Sequence, residues 1–241
     1  MERELGLAEE TQKALLPGVI PAIEGWELAA FSKPTRYVGG DFYDFILMPE
    51  GSFVAVLGDV SGKGVSAALL SSMVLGSLHA QIKSQKSIQA ATNACNQIMR
   101  EKSPAERFVT FFIAEFNKEG GGQYLSAGHT TCYVYRCGRK IVEELPSNNM
   151  LVGAFDFSSF QSSPIALEEG DVLLSYSDGL TDAENDRGEM FGEQRVLTSM
   201  RAAAASGARA VMEQLTMNLD QFIGGRAQTD DITIVAIGRV Q

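Results

Sequence analysis

The clearest pattern in the chain is an unbroken apolar run from Phe53 to Leu57, closed by Gly58 and Asp59. A run this short, bounded by glycine, predicts a buried strand. Gly62 and Gly64 follow, and from about Val65 the apolar positions Ala67, Leu69, Leu70, Met73, Val74, Leu75 and Leu78 recur at helical spacing. Their breadth predicts a helix laid against a sheet, over about 64–84, with Met73 as core. The same periodicities predict strands at 26–32, 40–48, 52–59, 108–116, 122–127, 131–136, 139–144, 171–177 and 231–239. They predict further helices at 2–16, 88–101, 193–204 and 207–223. Glycines 120, 121 and 122 mark a hairpin turn. Strands and helices come in groups and do not strictly alternate, which argues for α+β with antiparallel sheets.

Several strands end on acids. Asp59 closes one, Asp41 opens another, Asp178 follows 171–177, and Asp230 and Asp231 precede the last. A carboxylate at the tip of a buried strand is costly unless a cation or donors satisfy it. Asp59 alone also fits an ordinary turn that caps the following helix. Four such acids, each beside glycine or another acid, suggest one oxygen-rich cluster of the kind that hard divalent cations take. With two histidines in the chain, a His-rich zinc or iron site does not fit.

The chain has 241 residues, 45% of them hydrophobic, enough for a sizeable core. Its formal charge of −10 argues against nucleic acid and anionic membranes as partners. Cys95, Cys132 and Cys137 form no CxxC pair, and an odd count without a framework fits the reducing cytoplasm. Cys95, inside a helical pattern, reads as core. No apolar stretch reaches the ~18 residues of a membrane span, and the start, Met1 to Leu5, has no signal-peptide core.

Six short segments carry a family resemblance: LLP (15–17), VGGDFYD (38–44), GDVSGKG (58–64), SAGH (126–129), YSDGLTDA (176–183) and DDIT (230–233). In this order they resemble the metal-dependent protein phosphatases of the PPM superfamily, in the branch of stage II sporulation protein E and the sigma-factor regulator phosphatases. The resemblance implies a four-layer α-β-β-α sandwich, two antiparallel sheets flanked by helices. It implies hydrolysis of phosphoserine or phosphothreonine on a protein with two divalent cations, Mn2+ or Mg2+.

Carried over residue by residue, Asp59 resembles the carboxylate that bridges two metals, and the carbonyl of Val60 joins the second. Asp41 is similar to the other acid near that second metal, and Asp178 and Asp230 to the remaining ligands of the first. Asp230 is preferred to Asp231 because the family pattern puts the ligand first in the pair. Asp44 and Asp182 are left as supporting or structural acids. Arg36 stands five residues before Asp41, where eukaryotic relatives carry a phosphate-binding arginine; a guanidinium there can grip phosphate bidentately. Those relatives place a histidine two residues after the bridging acid, where this chain has Ser61. Protonation of the leaving oxygen then falls to water or Lys63, while His129 reads as a turn-holding residue. The proline-containing segment usual after the Gly-His pair is replaced here by Thr130, Thr131 and Cys132.

Residues 1–20 read as a helical linker or regulatory segment and 21–241 as the phosphatase domain. The first helix has a partial apolar stripe, Leu5, Ala8, Leu15 and Leu16, which fits either a solvated end or a coiled-coil linker. An upstream sensor or receiver domain, or a homodimer through this helix, are the partners it allows. The expected substrate is a phosphorylated anti-anti-sigma-type protein. Two other functions compete. One is a phosphoprotein-binding module on the same fold. The other is a nucleotide cyclase, from the faint likeness of Gly39, Gly40 and Asp41 to a Gly-Gly-Asp-Glu-Phe signature; Phe42 stands where that signature has its second acid.

Overall fold

The computed structural model describes residues 2–84, 87–104, 106–156 and 159–240. In chain order its elements are α1 (Glu2–Leu15), β1 (Trp26–Lys33), β2 (Phe42–Leu47), β3 (Phe53–Val60), α2 (Val65–Lys83) and α3 (Ile88–Lys102). Then come β4 (Val109–Phe116), β5 (Gly121–Ala127), β6 (Cys132–Arg136), β7 (Ile141–Leu145), β8 (Ser163–Ala166) and β9 (Val172–Tyr176). The chain closes with α4 (Asp178–Thr181), α5 (Gly192–Ala203), α6 (Ala208–Ile223) and β10 (Ile232–Arg239). The α+β class is as expected: two antiparallel sheets of five strands each, with helices on both.

The chain divides into two compact units, and each holds one sheet. The first unit comprises Met1–Val19, Arg36–His129 and Pro146–Ala166. Its strand order is β2-β3-β4-β5-β8. Phe42, Ile46, Val54, Val56, Phe111, Ile113 and Leu125 present one sheet face to α2 and α3, which bury Val74, Leu75, Leu78, Ile82, Cys95 and Met99 against it. Every residue of β3 except Asp59 is buried, which is why the strand reads as an apolar run and not as an alternation. Met73 packs against this core and Cys95 lies inside it, as expected.

The second unit comprises Ile20–Thr35, Thr130–Leu145 and Leu167–Gln241. Its strand order is β1-β10-β9-β6-β7. Tyr133, Leu174, Tyr176, Ile234 and Ala236 pack with Val196, Met200, Val211, Leu215 and Leu219 of α5 and α6. Strand β10, between β1 and β9, is buried from Ile232 to Gly238.

Three features differ from expectation or were not foreseen. Strand β8 is a four-residue edge strand that contains Pro164, opposite Gln123 of β5; proline is tolerated there because an edge position needs no ladder N–H. Residues from Asp178 make one turn of helix, α4. Finally, α2 is long and apolar enough, by length and composition, to cross a membrane, contrary to the expectation that no stretch is. Ser, Gly and His interrupt its apolar run without lowering its average much. Its Ala67, Ala68, Ser71, Val74, Leu75, Leu78 and Ile82 are buried within the first unit.

Candidate active site

In the first unit the register Phe42↔Gly58, with the Val60 N–H bonded to the Gly40 carbonyl at 3.4 Å, sets Asp41 opposite Asp59 across the β2–β3 ladder. Asp41 is 7% exposed and Asp59 half-buried. Like charges directly opposite each other destabilise a sheet, and a cation at this end of the ladder would offset that cost. Gly40 makes the approach possible. A Cβ on it would stand 2.7 Å from the Val60 carbonyl oxygen and 3.1 Å from Asp59 Oδ1. The Val60 carbonyl and the Asp59 carboxylate therefore share a space that any side chain at position 40 would fill, next to Asp41 in the chain.

The turn after Val60 is tied to the segment before β4. Ser61 N–H donates to the Phe108 carbonyl at 2.9 Å, and Phe108 N–H donates to Ser61 Oγ at 3.0 Å. Ser61 thus holds a turn by its main chain and its side chain together. Lys63 is exposed on the same turn. His129 is buried, with Nδ1 3.2 Å from Thr110 Oγ1, and Thr110 is the cross-strand neighbour of Asp59. Asp44 meets the His79 ring at 2.8 Å and accepts from the Phe45 N–H at 2.8 Å. Arg36 is exposed and makes no hydrogen bond or ion pair among the described residues.

In the second unit β9 gives way to α4 at Ser177. Its N–H donates to the Thr233 carbonyl at 2.9 Å, and its Oγ accepts from the Thr233 N–H at 2.9 Å. This lays the first turn of α4, which starts with Asp178, beside the mouth of β10. A Cβ on Gly179 would stand 2.0 Å from the Asp231 carbonyl oxygen and 3.3 Å from Asp230 Cβ. Asp178 is exposed and Asp230 half-buried. The two paired acids differ in their work. Asp231 Oδ1 accepts from Thr35 N–H at 2.7 Å and Thr35 Oγ1 at 3.0 Å, which ties the end of β1 to the start of β10. Asp230 Oδ1 accepts from the Asp231 N–H at 3.0 Å, and its main-chain carbonyl from Gln228 Nε2 at 2.6 Å. Asp182 is exposed beside Thr181.

Each unit thus brings together its own pair of expected acids, Asp41 with Asp59 and Asp178 with Asp230. Among the described residues, no three His, Cys, Asp or Glu side chains form a ready-made metal cage. The donors are all oxygen, and a glycine-lined approach stands beside each pair; this set fits Mg2+ or Mn2+ and not a thiolate-seeking ion. Burial pushes the Cys95 thiol up to about 11 and the Cys132 thiol to about 12, so neither is a thiolate nucleophile near neutral pH.

Sequence reasoning missed three residues at these strand ends. Gln12 of α1 bonds both main-chain groups of Gly39. Arg107 donates to the Ser61 carbonyl. Thr35 holds Asp231. None belongs to a motif or repeats at an element's period.

The profile of the stage II sporulation protein E (SpoIIE) family matches residues 49–240. The chain is 27% identical to Protein IcfG of Synechocystis over 98% of its own length and 41% of that protein's. It is also 27% identical to the phosphoserine phosphatase RsbU of Bacillus subtilis, over 99% of this chain and 71% of RsbU. The chain therefore spans less than half of one of these relatives and about seven-tenths of the other. Among solved structures, the SiaA-PP2C domain of Pseudomonas aeruginosa superposes with a TM-score of 0.85 at 21% identity, covering 98% of this chain and 95% of that one. The fold is that of this domain.

Proposed function

The chain belongs to the stage II sporulation protein E family, and from that premise we propose that it is a metal-dependent phosphatase acting on phosphoserine or phosphothreonine in a protein. The observation that carries the proposal is the placement of Asp41 opposite Asp59, with the Val60 carbonyl and the Asp59 carboxylate sharing a space kept open by Gly40. Asp41, Asp59 and the carbonyl of Val60 in the first unit, and Asp178 and Asp230 in the second, are the groups that would hold two divalent cations, Mn2+ or Mg2+. Asp230 takes this role in preference to Asp231, whose carboxylate already serves Thr35.

When bound, the cations supply charge neutralisation for the phosphoryl oxygens and an activated water. The chain's own groups do the rest. Asp41 and Asp59 set the charge at one strand end. Arg36, exposed and without an internal partner among the described residues, grips phosphate. Ser61 Oγ accepts from Phe108 N–H, and an unactivated serine hydroxyl is too weak an acid to serve as a general acid near neutral pH, so the proton for the leaving oxygen comes from solvent or from exposed Lys63.

The substrate we propose is a phosphorylated anti-anti-sigma-type protein, in the cytoplasm. The likeness to RsbU, named a phosphoserine phosphatase, supports it. Helix α1 is the regulatory segment, joined to an upstream sensor or receiver domain or to a second chain. The family finding favours a phosphatase over a nucleotide cyclase.

The test is release of phosphate from a phosphoserine-bearing anti-anti-sigma-type protein by the full chain with Mn2+. Release should stop with EDTA and return with excess Mn2+. Release that persists after exhaustive chelation ends the metal-dependent reading. Tight binding without release favours the phosphoprotein-binding module instead.

A further inference from the structure

The turn that follows Asp59 carries an unusual load. Gly62 has φ +98° and the guanidinium of Arg107 lies on it: a Cβ there would stand 1.6 Å from Arg107 Nη1 and 2.7 Å from Cζ. Arg107 Nη1 donates to the Ser61 carbonyl at 2.5 Å, and Nη2 lies 3.5 Å from Ser66 Oγ in the first turn of α2. Beside it, Ser61 and Phe108 exchange two further hydrogen bonds. One side chain thereby spans the end of β3, the 61–64 turn and the start of α2.

The electrostatics of this placement are adverse. Helix α2 has no acidic residue in its first turn and no side-chain cap, so a guanidinium beside its N-terminus meets the positive end of the helix dipole. A cation on the turn two residues after Asp59 also adds positive charge on the side where another cation would bind. An arginine in this place is explained by its geometry: a planar fork offers several donors at once, and its Nη1 end reaches the Ser61 carbonyl through the space that the missing side chain of Gly62 leaves open.

We infer that Arg107 is a positioning residue: its bond to the Ser61 carbonyl holds the Asp59–Val60 end of β3 in the orientation that presents the Asp59 carboxylate and the Val60 carbonyl. The consequence for ion binding rests on the proposed metal-dependent function, while the positioning itself does not. Phosphate recognition is not required of Arg107, so its loss acts on the ion and the turn and not on KM.

The experiment compares the full chain with Arg107→Ala and Arg107→Lys. On metal-free protein, amide hydrogen exchange is read at Val60 and Ser61, and thermal unfolding is followed; Mn2+ binding is then titrated calorimetrically. In Arg107→Ala those amides should exchange about tenfold faster, the equivalent of one charge-assisted hydrogen bond. The midpoint of unfolding should stay near wild type. The Mn2+ dissociation constant should rise ~10-fold, as for other groups that orient a metal ligand. Arg107→Lys keeps the charge but loses the fork, and should fall between.

Unchanged exchange at Val60 and Ser61 overturns the inference, whatever happens to the metal. Tighter Mn2+ binding in Arg107→Ala overturns the consequence drawn for the ion, because charge repulsion would then outweigh any gain from the way the ligands are presented. If Arg107→Ala fails to fold, Arg107→Lys decides: wild-type exchange and affinity in that variant overturn the inference, and loss of both at an unchanged midpoint supports it. Absence of Mn2+ binding in the wild type would strike the proposed function, and the exchange comparison would still decide the role of Arg107.

Discussion

The side-chain amide of Gln12 and the main chain of Gly39 exchange two hydrogen bonds. Gln12 Nε2 donates to the Gly39 carbonyl at 2.7 Å, and the Gly39 N–H donates to Gln12 Oε1 at 3.0 Å. The same Nε2 lies 3.3 Å from Ser71 Oγ of α2. A side chain of α1 thus pairs with the backbone as a neighbouring strand would, two residues before Asp41. An isolated helix of this length is marginal in water, so docking of this kind is what holds α1 in place.

It follows that α1 and the Asp41 strand end are coupled. Gln12→Leu preserves size but leaves the Gly39 N–H and carbonyl without these partners. The Mn2+ concentration for half-maximal phosphatase activity should rise ~10-fold, the scale for groups that support a metal ligand from outside. Gln12→Glu keeps an acceptor for the Gly39 N–H and loses the donor, and should be milder. Identical Mn2+ dependence in all three proteins would show that α1 rests on the unit without acting on it.

Asp178→Asn tests the second pair of acids. The change keeps the shape of the first turn of α4 and removes a charge from a cation site. Turnover should fall by ~100-fold, at the upper end of the range for disturbed metal sites. The metal-free protein should be no less stable, since Asp178 is exposed and Asp230 lies close by on the same sheet end. Near-normal turnover, measured with saturating Mn2+, would remove Asp178 from the ligand set.

How far these features could be seen in advance depends on the range of the forces involved. Most strand and helix limits were legible within a residue or two, because burial imposes a period that the chain displays directly. Strand β8 was not, since four residues with Pro164 in the middle show no alternation. The single turn of α4 is too short for any period. The acids were legible because a carboxylate beside glycine at the end of an apolar run needs an explanation. Their supports were not. Thr35 lies 196 positions from Asp231, Arg107 46 from Ser61 and Gln12 27 from Gly39. Hydrogen bonds at such separations are made by the fold, and nothing local to either partner announces them.

Arg36→Ala separates phosphate grip from ion binding. If the exposed guanidinium meets the phosphoryl group, KM should rise about tenfold, as for loss of one charge-assisted pair, with the Mn2+ requirement unchanged. An unaltered KM would return Arg36 to the solvated surface.

Gly179→Ala addresses the approach of α4 to β10. The added methyl would meet the Asp231 carbonyl oxygen at 2.0 Å, a backbone atom that cannot swing away as a side-chain tip can. We expect a loss of about 1–3 kcal/mol in urea unfolding, the usual cost of overpacking. Activity should fall more than stability, because relief of the clash moves Asp178 and Asp230 apart. A variant as stable and active as wild type would show that this end of the sheet is loosely held.

The last expectation concerns alkaline pH. Burial raises the Cys95 thiol to about 11 and the Cys132 thiol to about 12, against weaker opposing hydrogen bonds with Ser77 and Ser175. In the unfolded chain both titrate near the ordinary thiol value of about 8.5. Between these values the native state keeps protons that the unfolded state has lost. Their contribution to stability is therefore complete below about pH 8.5 and drains away as the pH rises through the folded values. The urea midpoint of the wild type should fall between pH 8 and pH 10, and a Cys95→Ala, Cys132→Ala double variant should show a smaller fall over the same interval. Cys137, which is partly exposed, serves as the internal control. Iodoacetamide at pH 8 should modify it in the native protein while sparing Cys95 and Cys132. Equal alkylation of all three thiols, or an equal alkaline loss in the double variant, would mean that the two buried thiols are not held in their protonated form by the fold.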